Sequence, residues 1–255
     1  MTLSASDPSP GSGVSGTYYQ VDGGAVQTYS GAFTVSATGY HVIAYYSRDV
    51  AGNYETTKSV SFWIKSPTTT VVTSSVNPSA FHQSVTFKAA VTPSFGSTPL
   101  GNVLFKNNGV VIGTVALSGG VASFTTSALA VGSHAINAVF EGSGNDIASP
   151  SAAITQTVHQ AATTTTIVSS VNPSNAGQAV TFTATIKPAF GGAATGTVNF
   201  KNGTTIIGTR TVSAANKATF TTSTLAAGTH AISAVYTGNT NLKSSFSTAV
   251  KQVVK

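Results

Sequence analysis

The sequence predicts an all-β fold, a tandem array of three antiparallel β-sandwiches, and three observations carry that prediction. The first is a segment that recurs: residues 132–140 read GSHAINAVF, residues 228–236 read GTHAISAVY and residues 39–45 read, more loosely, GYHVIAY. In each copy a glycine is followed two residues on by histidine and two further on by isoleucine. A period of two is the side-chain repeat of a β-strand, and three copies mean three modules. The second is composition. Only 7% of the residues are charged, while Thr, Ser, Ala, Gly and Val dominate, which suits short half-buried strands joined by small-residue turns. The third is punctuation, with turn formers separating apolar runs about every 8–12 residues.

Taken in order, residues 1–65 form the first module. Met1, Leu3 and Ala5 alternate with Thr2, Ser4 and Ser6 as in a strand, and a loop rich in Ser, Pro and Gly follows. TYYQV and AVQTY, joined by Asp22-Gly23-Gly24, read as a hairpin, because glycine supplies the positive φ that tight turns need. GAFTVS, GYHVIAYYSRD and a final strand ending in SVSFWIK complete about six strands, one too few, so the module reads as truncated at its N-terminus. Residues 66–160 form the second module, with strands at TTTVVTSSV, SVTFKAAVT, GNVLFKN, VVIGTVAL, VASFTTS, HAINAVF and AAITQTV and a strong hairpin signal at Asn108-Gly109. Residues 161–255 repeat this order at an offset of 95, SSVNPS at 74–79 recurring at 169–174. After one extra residue near 214–217 the offset becomes 96. That insertion falls at a predicted turn, where length changes cost little.

Seven short strands in a module of this size fit an immunoglobulin-like sandwich. The pattern of a Thr run at 68–70, V-N-P-S at 76–79, V-T-F at 85–87, G-x-V-x-F at 101–105 and L-x-x-G-x-H-x-I-x-A-x-F at 129–140 resembles bacterial immunoglobulin-like domain repeats, in two copies over about residues 68–255. The DGG…G-x-H-x-I…D-x-A-G-N-x-E pattern between Tyr18 and Glu55 is similar to a truncated bacterial fibronectin- or immunoglobulin-like domain. The resemblance implies a secreted or cell-surface bacterial protein and no particular task.

Composition closes several routes. Without cysteine there is neither a disulfide framework nor a thiolate metal site. No run approaches the roughly 20 apolar residues of a membrane span, so no membrane insertion is expected. The first residues lack the basic start and apolar run of a signal peptide, and the segment reads as an internal part of something longer. Of the net charge of +6, the last module holds seven basic and no acidic residues. Its cations are scattered and not interleaved with aromatics, so they favour solubility over specific nucleic-acid binding.

No catalytic set converges: there is no nucleophile–base–acid constellation, and the six acids are scattered over the first two modules. His41, His134 and His230 share a strand face with an isoleucine two residues on, and are expected to be structural corner residues that bond backbone, as a corner tyrosine does in immunoglobulin domains. One histidine per module holds no metal, so neither metal nor cofactor is expected. Asp49, Asn53 and Glu55 read as a turn in which side chains bond local backbone, although their oxygens also raise calcium as an alternative.

The aromatic residues are unevenly placed, seven of eight tyrosines and the one tryptophan lying in the first module. Strand alternation puts Tyr46 and Trp63 outward, and with Tyr18 or Tyr19 they are expected to form a binding shelf for a surface polysaccharide or protein ligand. The leading expectation is a non-catalytic spacer or stalk segment flanked by further domains of a longer parent protein. The rivals are an adhesin-type binding module and assembly by strand exchange, since a truncated module exposes edges that invite self-association.

Overall fold

The computed structural model describes all 255 residues, and they form strands, turns and coil with no helix. Four strands come from the first segment: β1 (Val14–Val21), β2 (Gln27–Thr28), β3 (Gly39–Asp49) and β4 (Lys58–Ile64). They make one antiparallel sheet in the order β2-β1-β3-β4. The next nine are β5 (Thr68–Ser74), β6 (Ser79–Ala80), β7 (Val85–Pro93), β8 (Asn102–Asn107), β9 (Val110–Ala116), β10 (Val121–Thr126), β11 (Gly132–Phe140), β12 (Ser149–Pro150) and β13 (Ile154–His159). They form a sheet β10-β7-β5 and a second sheet β6-β13-β11-β8-β9, with β12 also on β11. The last eight are β14 (Thr163–Ser169), β15 (Val180–Pro188), β16 (Thr197–Asn202), β17 (Thr205–Thr211), β18 (Lys217–Thr222), β19 (Gly228–Tyr236), β20 (Ser245–Phe246) and β21 (Val250–Val254). They repeat the pattern as β14-β15-β18 and β17-β16-β19-β20, with β21 on β19.

By packing, the chain divides into two compact units. One comprises Met1–Thr73, Lys88–Ser123 and Asn137–Ala153; the other comprises Ser74–Phe87, Phe124–Ile136 and Ile154–Lys255. Within the second unit, Val180, Phe182, Ala184 and Ile186 of β15 face Val198 and Phe200 of β16 and Ile232, Ala234 and Tyr236 of β19 in one closed core. Alternation explains it: these residues, every second one along their strands, are apolar and buried, and between them on β15 stand Thr181, Thr183 and Thr185. The Tyr236 hydroxyl reaches the core's rim and donates to the Thr195 carbonyl at 2.6 Å. Turn chemistry also follows the sequence. Asn108 and Gly109 both take positive φ (49° and 83°), the conformation that a two-residue hairpin between β8 and β9 requires.

The first segment departs from expectation. Neither Met1–Ala5 nor GAFTVS becomes a strand, and AVQTY contributes only Gln27–Thr28. Met1 and Phe33 exchange both backbone hydrogen bonds (2.8 and 3.2 Å), but the pairing goes no further, because residues 1–7 run directly into Pro8 and Pro10 and gain no second neighbour. These two segments nonetheless cover the inner face of the sheet, where Phe33 stacks on buried Tyr19 at 4.0 Å and Ile43 is fully enclosed.

Residues 66 and 161 are clamped in the same way. Ser66, fully buried, accepts from Ile147 N–H and donates its own N–H to Asn145 O, both at 2.8 Å. Ala161, 1% exposed, accepts from Lys243 N–H and donates to Asn241 O, both at 2.9 Å. Even the flanking side chains correspond, Lys65 Nζ donating to Ser143 O and Gln160 Nε2 to Asn239 O.

Candidate functional site

The three corner histidines sit one residue pair into the strands β3, β11 and β19. The Nε2 of His41, His134 and His230 lies 2.8 Å from the carbonyl four residues upstream, that of Ala37, Ala130 and Ala226 respectively. A carbonyl only accepts, so Nε2 carries the proton in all three. What faces the other nitrogen differs. Nδ1 of His230 lies 2.9 Å from Nδ2 of Asn202, a donor, and so accepts there. Nδ1 of His41 lies 2.8 Å from the carboxylate of Asp22, which only accepts, and the geometry suits the imidazolium. The Asp22 hydrogen bond and the Ala37 carbonyl hold the His41 pKa above its ordinary value. Asp22 also accepts from Val42 N–H at 2.7 Å, and that bond, followed by His41, lowers the Asp22 pKa.

Opposite each histidine the sequence reading overlooked a second residue. Gln156 pairs with His134 and Gln252 with His230, and both glutamines are fully buried. Gln156 donates to Val76 O (3.0 Å) and Ser79 Oγ (3.1 Å) and accepts from Ser74 Oγ (2.7 Å). Gln252 does the same with Val171 O, Ser174 Oγ and Ser169 Oγ. Each glutamine thus ties the V-N-P-S turn to the strand beside the histidine. A signal existed: each lies in phase with the buried Val158 or Val254 on an otherwise apolar strand face, where a polar residue implies a satisfied network. In the first sheet the residue opposite His41 is Phe62, whose ring stands 5.8 Å from the imidazole.

The expected aromatic shelf separates into two. Tyr18 lies opposite Tyr46 across β1 and β3, their rings stacked at 5.4 Å, and Tyr54 adds a third ring 5.8 Å from Tyr46. The guanidinium of Arg48 covers Tyr54 at 5.4 Å. Trp63 instead pairs with Tyr40, six residues along β3 from Tyr46 and hence roughly 20 Å away at strand rise. It lies against the loop at Gly144, where an added methyl would stand 3.5 Å from its ring. Tyr19 is on the opposite face: alternation allows only one of Tyr18 and Tyr19 to point out, and Tyr19 is buried with its hydroxyl donating to Gln27.

Beside Tyr54 is an open polar cleft of about 360 Å³ bordered by Arg48, Asp49, Asn53, Glu55 and Lys58. Its carboxylates are already engaged. Asp49 accepts from both the backbone and the side chain of Asn53 (2.8 and 2.9 Å), which lowers its pKa, and Glu55 accepts from Lys58 at 2.9 Å. Nowhere in the chain do three His, Asp or Glu side chains converge in a metal-binding group.

One family model, the bacterial Ig-like domain (group 3), matches residues 72–159 and 166–255. The chain belongs to that family. Solved structures similar to this chain include the fibronectin(III)-like modules of Clostridium thermocellum CbhA, at 20% identity over 72% of this chain and 95% of that one, with a TM-score of 0.30. Another is the Escherichia coli adhesin FdeC, at 14% identity over 95% and 86% and a TM-score of 0.32. A third is a putative membrane anchored protein from Corynebacterium diphtheriae, at 13% identity over 90% and 68% and a TM-score of 0.29. No curated protein matches the chain. His134, Gln156, His230 and Gln252 lie within the two matched ranges, and the first sheet lies outside them.

Proposed function

We propose that the chain is a non-catalytic spacer: three immunoglobulin-like domains, residues 1–65, 66–160 and 161–255, within a larger secreted or cell-surface bacterial protein. The observation that carries this reading is the repeated linker clamp. Ser66 and Ala161 are each fixed at both backbone groups by the loop of the domain that follows. Anchoring the first residue of a domain in this way, by two hydrogen bonds each worth about 1 kcal/mol, leaves little free backbone between neighbours, and a stalk needs joints that resist bending. The corner histidines act structurally in this account, bonding backbone in their own domains. Ile147→Pro and Lys243→Pro remove the N–H groups that hold Ser66 and Ala161. With spectroscopic probes on either side of each linker, the wild type gives one narrow distance distribution and the variants broad ones. A broad distribution in the wild type contradicts the spacer.

A second reading has its own observation, the contiguous row of Tyr18, Tyr46 and Tyr54 with Arg48 beside it. Amphipathic rings next to a cation suit a sugar ring or a protein anchor. Titrating polysaccharides against the wild type and a Tyr46→Ala/Tyr54→Ala variant decides it: saturable binding lost in the variant supports an adhesin-type module, and no binding by either leaves the spacer.

A further inference from the structure

We propose that β4 is a self-pairing edge, through which a second copy of this chain extends the first sheet, antiparallel and centred on Ser61. The inference does not depend on the spacer reading. Its starting point is the same edge in the two group 3 repeats, where it is covered. There β6 runs parallel along β13 in the register Val158↔Ser79, and Ser174 bridges Val254 on β21. In the first sheet β4 is the last strand, paired only with β3. Phe62 stands where the repeats have a glutamine bonded to the covering segment, so this edge is apolar where theirs is polar.

The direction of the free backbone groups follows from Val42. Its carbonyl accepts from Asp22 N–H at 2.8 Å and its N–H donates to the Asp22 carboxylate at 2.7 Å, so both groups point toward β1 and away from β4. Val42 lies opposite Ser61, which makes that pair non-hydrogen-bonded and turns the N–H and C=O of Ser61 to the open side, with those of Ser59 and Trp63. Of the other edges, β5, β10 and β14 are likewise uncharged, but three others carry protection. β2 has two residues, and β9 and β17 are paired through bulges at Phe105/Lys106 and Phe200/Lys201. From Ser59 to Ile64, β4 has no charge, proline, glycine or bulge.

The edge also complements itself. Centring two antiparallel copies on Ser61 sets Ser59 against Trp63, Val60 against Phe62 and Lys58 against Ile64, so no like charges meet. Ser61 becomes a hydrogen-bonded pair with itself, as a two-fold axis requires, and Val60 and Phe62 fall in the closer non-hydrogen-bonded pairs. Those two side chains lie on the inner face, beside an apolar groove of about 330 Å³ lined by Met1, Phe33, Thr34, Val35 and Phe62. Two seven-residue strands cover less than the roughly 1,200 Å² of a standard interface, so the dimer is weak, micromolar or above.

The absence of native cysteine makes a direct test available. In this register the two Ser61 Cα atoms lie about 5.5 Å apart, within disulfide range, whereas Ser59 faces Trp63. Sedimentation of the full chain from micromolar to millimolar concentration should show a monomer–dimer equilibrium. Under mild oxidation Ser61→Cys should cross-link at least roughly tenfold faster than Ser59→Cys. Ser61→Lys, which sets two like charges on the axis, should leave the chain monomeric with its unfolding midpoint unchanged. A chain that stays monomeric throughout, cross-links equally at both positions, or dimerises undiminished as Ser61→Lys overturns the proposal.

Discussion

In the two group 3 repeats the strand beside the corner histidine carries a buried glutamine, Gln156 or Gln252, while the first sheet has Phe62 at the same register position. The difference follows from what lies alongside. In the repeats the V-N-P-S turn offers a carbonyl and a hydroxyl and the end of the strand before it a second hydroxyl, which an amide satisfies from both of its ends. The first sheet has no such turn, and an unpaired amide there would keep its desolvation cost, so an aromatic ring takes the place. The corners diverge in parallel. His230 meets the neutral donor Asn202, and His41 meets the charged acceptor Asp22. A strand position is therefore specified by the segment that covers it as much as by its own sheet.

The comparison can be broken most forcefully in the repeats. Gln252→Ala leaves the Val171 carbonyl and the hydroxyls of Ser169 and Ser174 without their partner, and should cost about 3 kcal/mol in denaturant unfolding of the second group 3 repeat. A loss below about 1 kcal/mol means that the turn is held by other contacts. Exchanging the two solutions should fail: Phe62→Gln gains no partners and should destabilise the first sheet by about 1–2 kcal/mol, whereas a stabilised variant would show that the covering segment is unnecessary.

The corners give a pH signature. Because the pKa of His41 is raised in the fold, its contribution is complete below its ordinary value of 6.5 and lost as pH rises through the folded value. Because that of Asp22 is lowered, its contribution is complete above 3.8 and lost as pH falls through the folded value. The pair therefore supports the first sheet most fully between those two limits. Thermal melts monitored by Trp63 fluorescence should decline on both sides, and His41→Gln should remove the alkaline decline. An unchanged alkaline limb would mean that the imidazolium contributes nothing. The smallest effect is expected on the outer face, where Tyr46→Ala removes half-buried stacking with Tyr18 and should cost under about 1 kcal/mol.

Much of the fold was legible because alternation is local. The strands β7, β11, β15 and β19 are visible as period-two runs, and Asn108-Gly109 announces its hairpin. The first two misread strands failed for a non-local reason: Met1–Ala5 and GAFTVS have the right alternation, but a strand also needs continuous neighbours, which neither acquires. The site was legible only in part. G-x-H-x-I placed the histidines, yet nothing adjacent in sequence revealed that Asp22 and Asn202, 19 and 28 residues away, would set them apart. Gln156 and Gln252 were visible as polar residues in a buried phase and went unremarked. The aromatic shelf failed on distance, since sharing a face does not bring Trp63 to Tyr46.

Residue-resolved amide exchange, at concentrations where the chain is monomeric, tests the contrast between covered and open edges most directly. Thr157 and Val253 donate their N–H groups to Asn77 and Asn172 Oδ1 at 3.0 Å, and the residue in the same register on β4 is Trp63. The amides of Ser61 and Trp63 should exchange nearly as fast as an unstructured chain, while those of Thr157 and Val253 should be slower by orders of magnitude. Equal protection at Trp63 and Val253 would mean that the edge of β4 is not open, and that the first sheet and the repeats do not differ in the way argued.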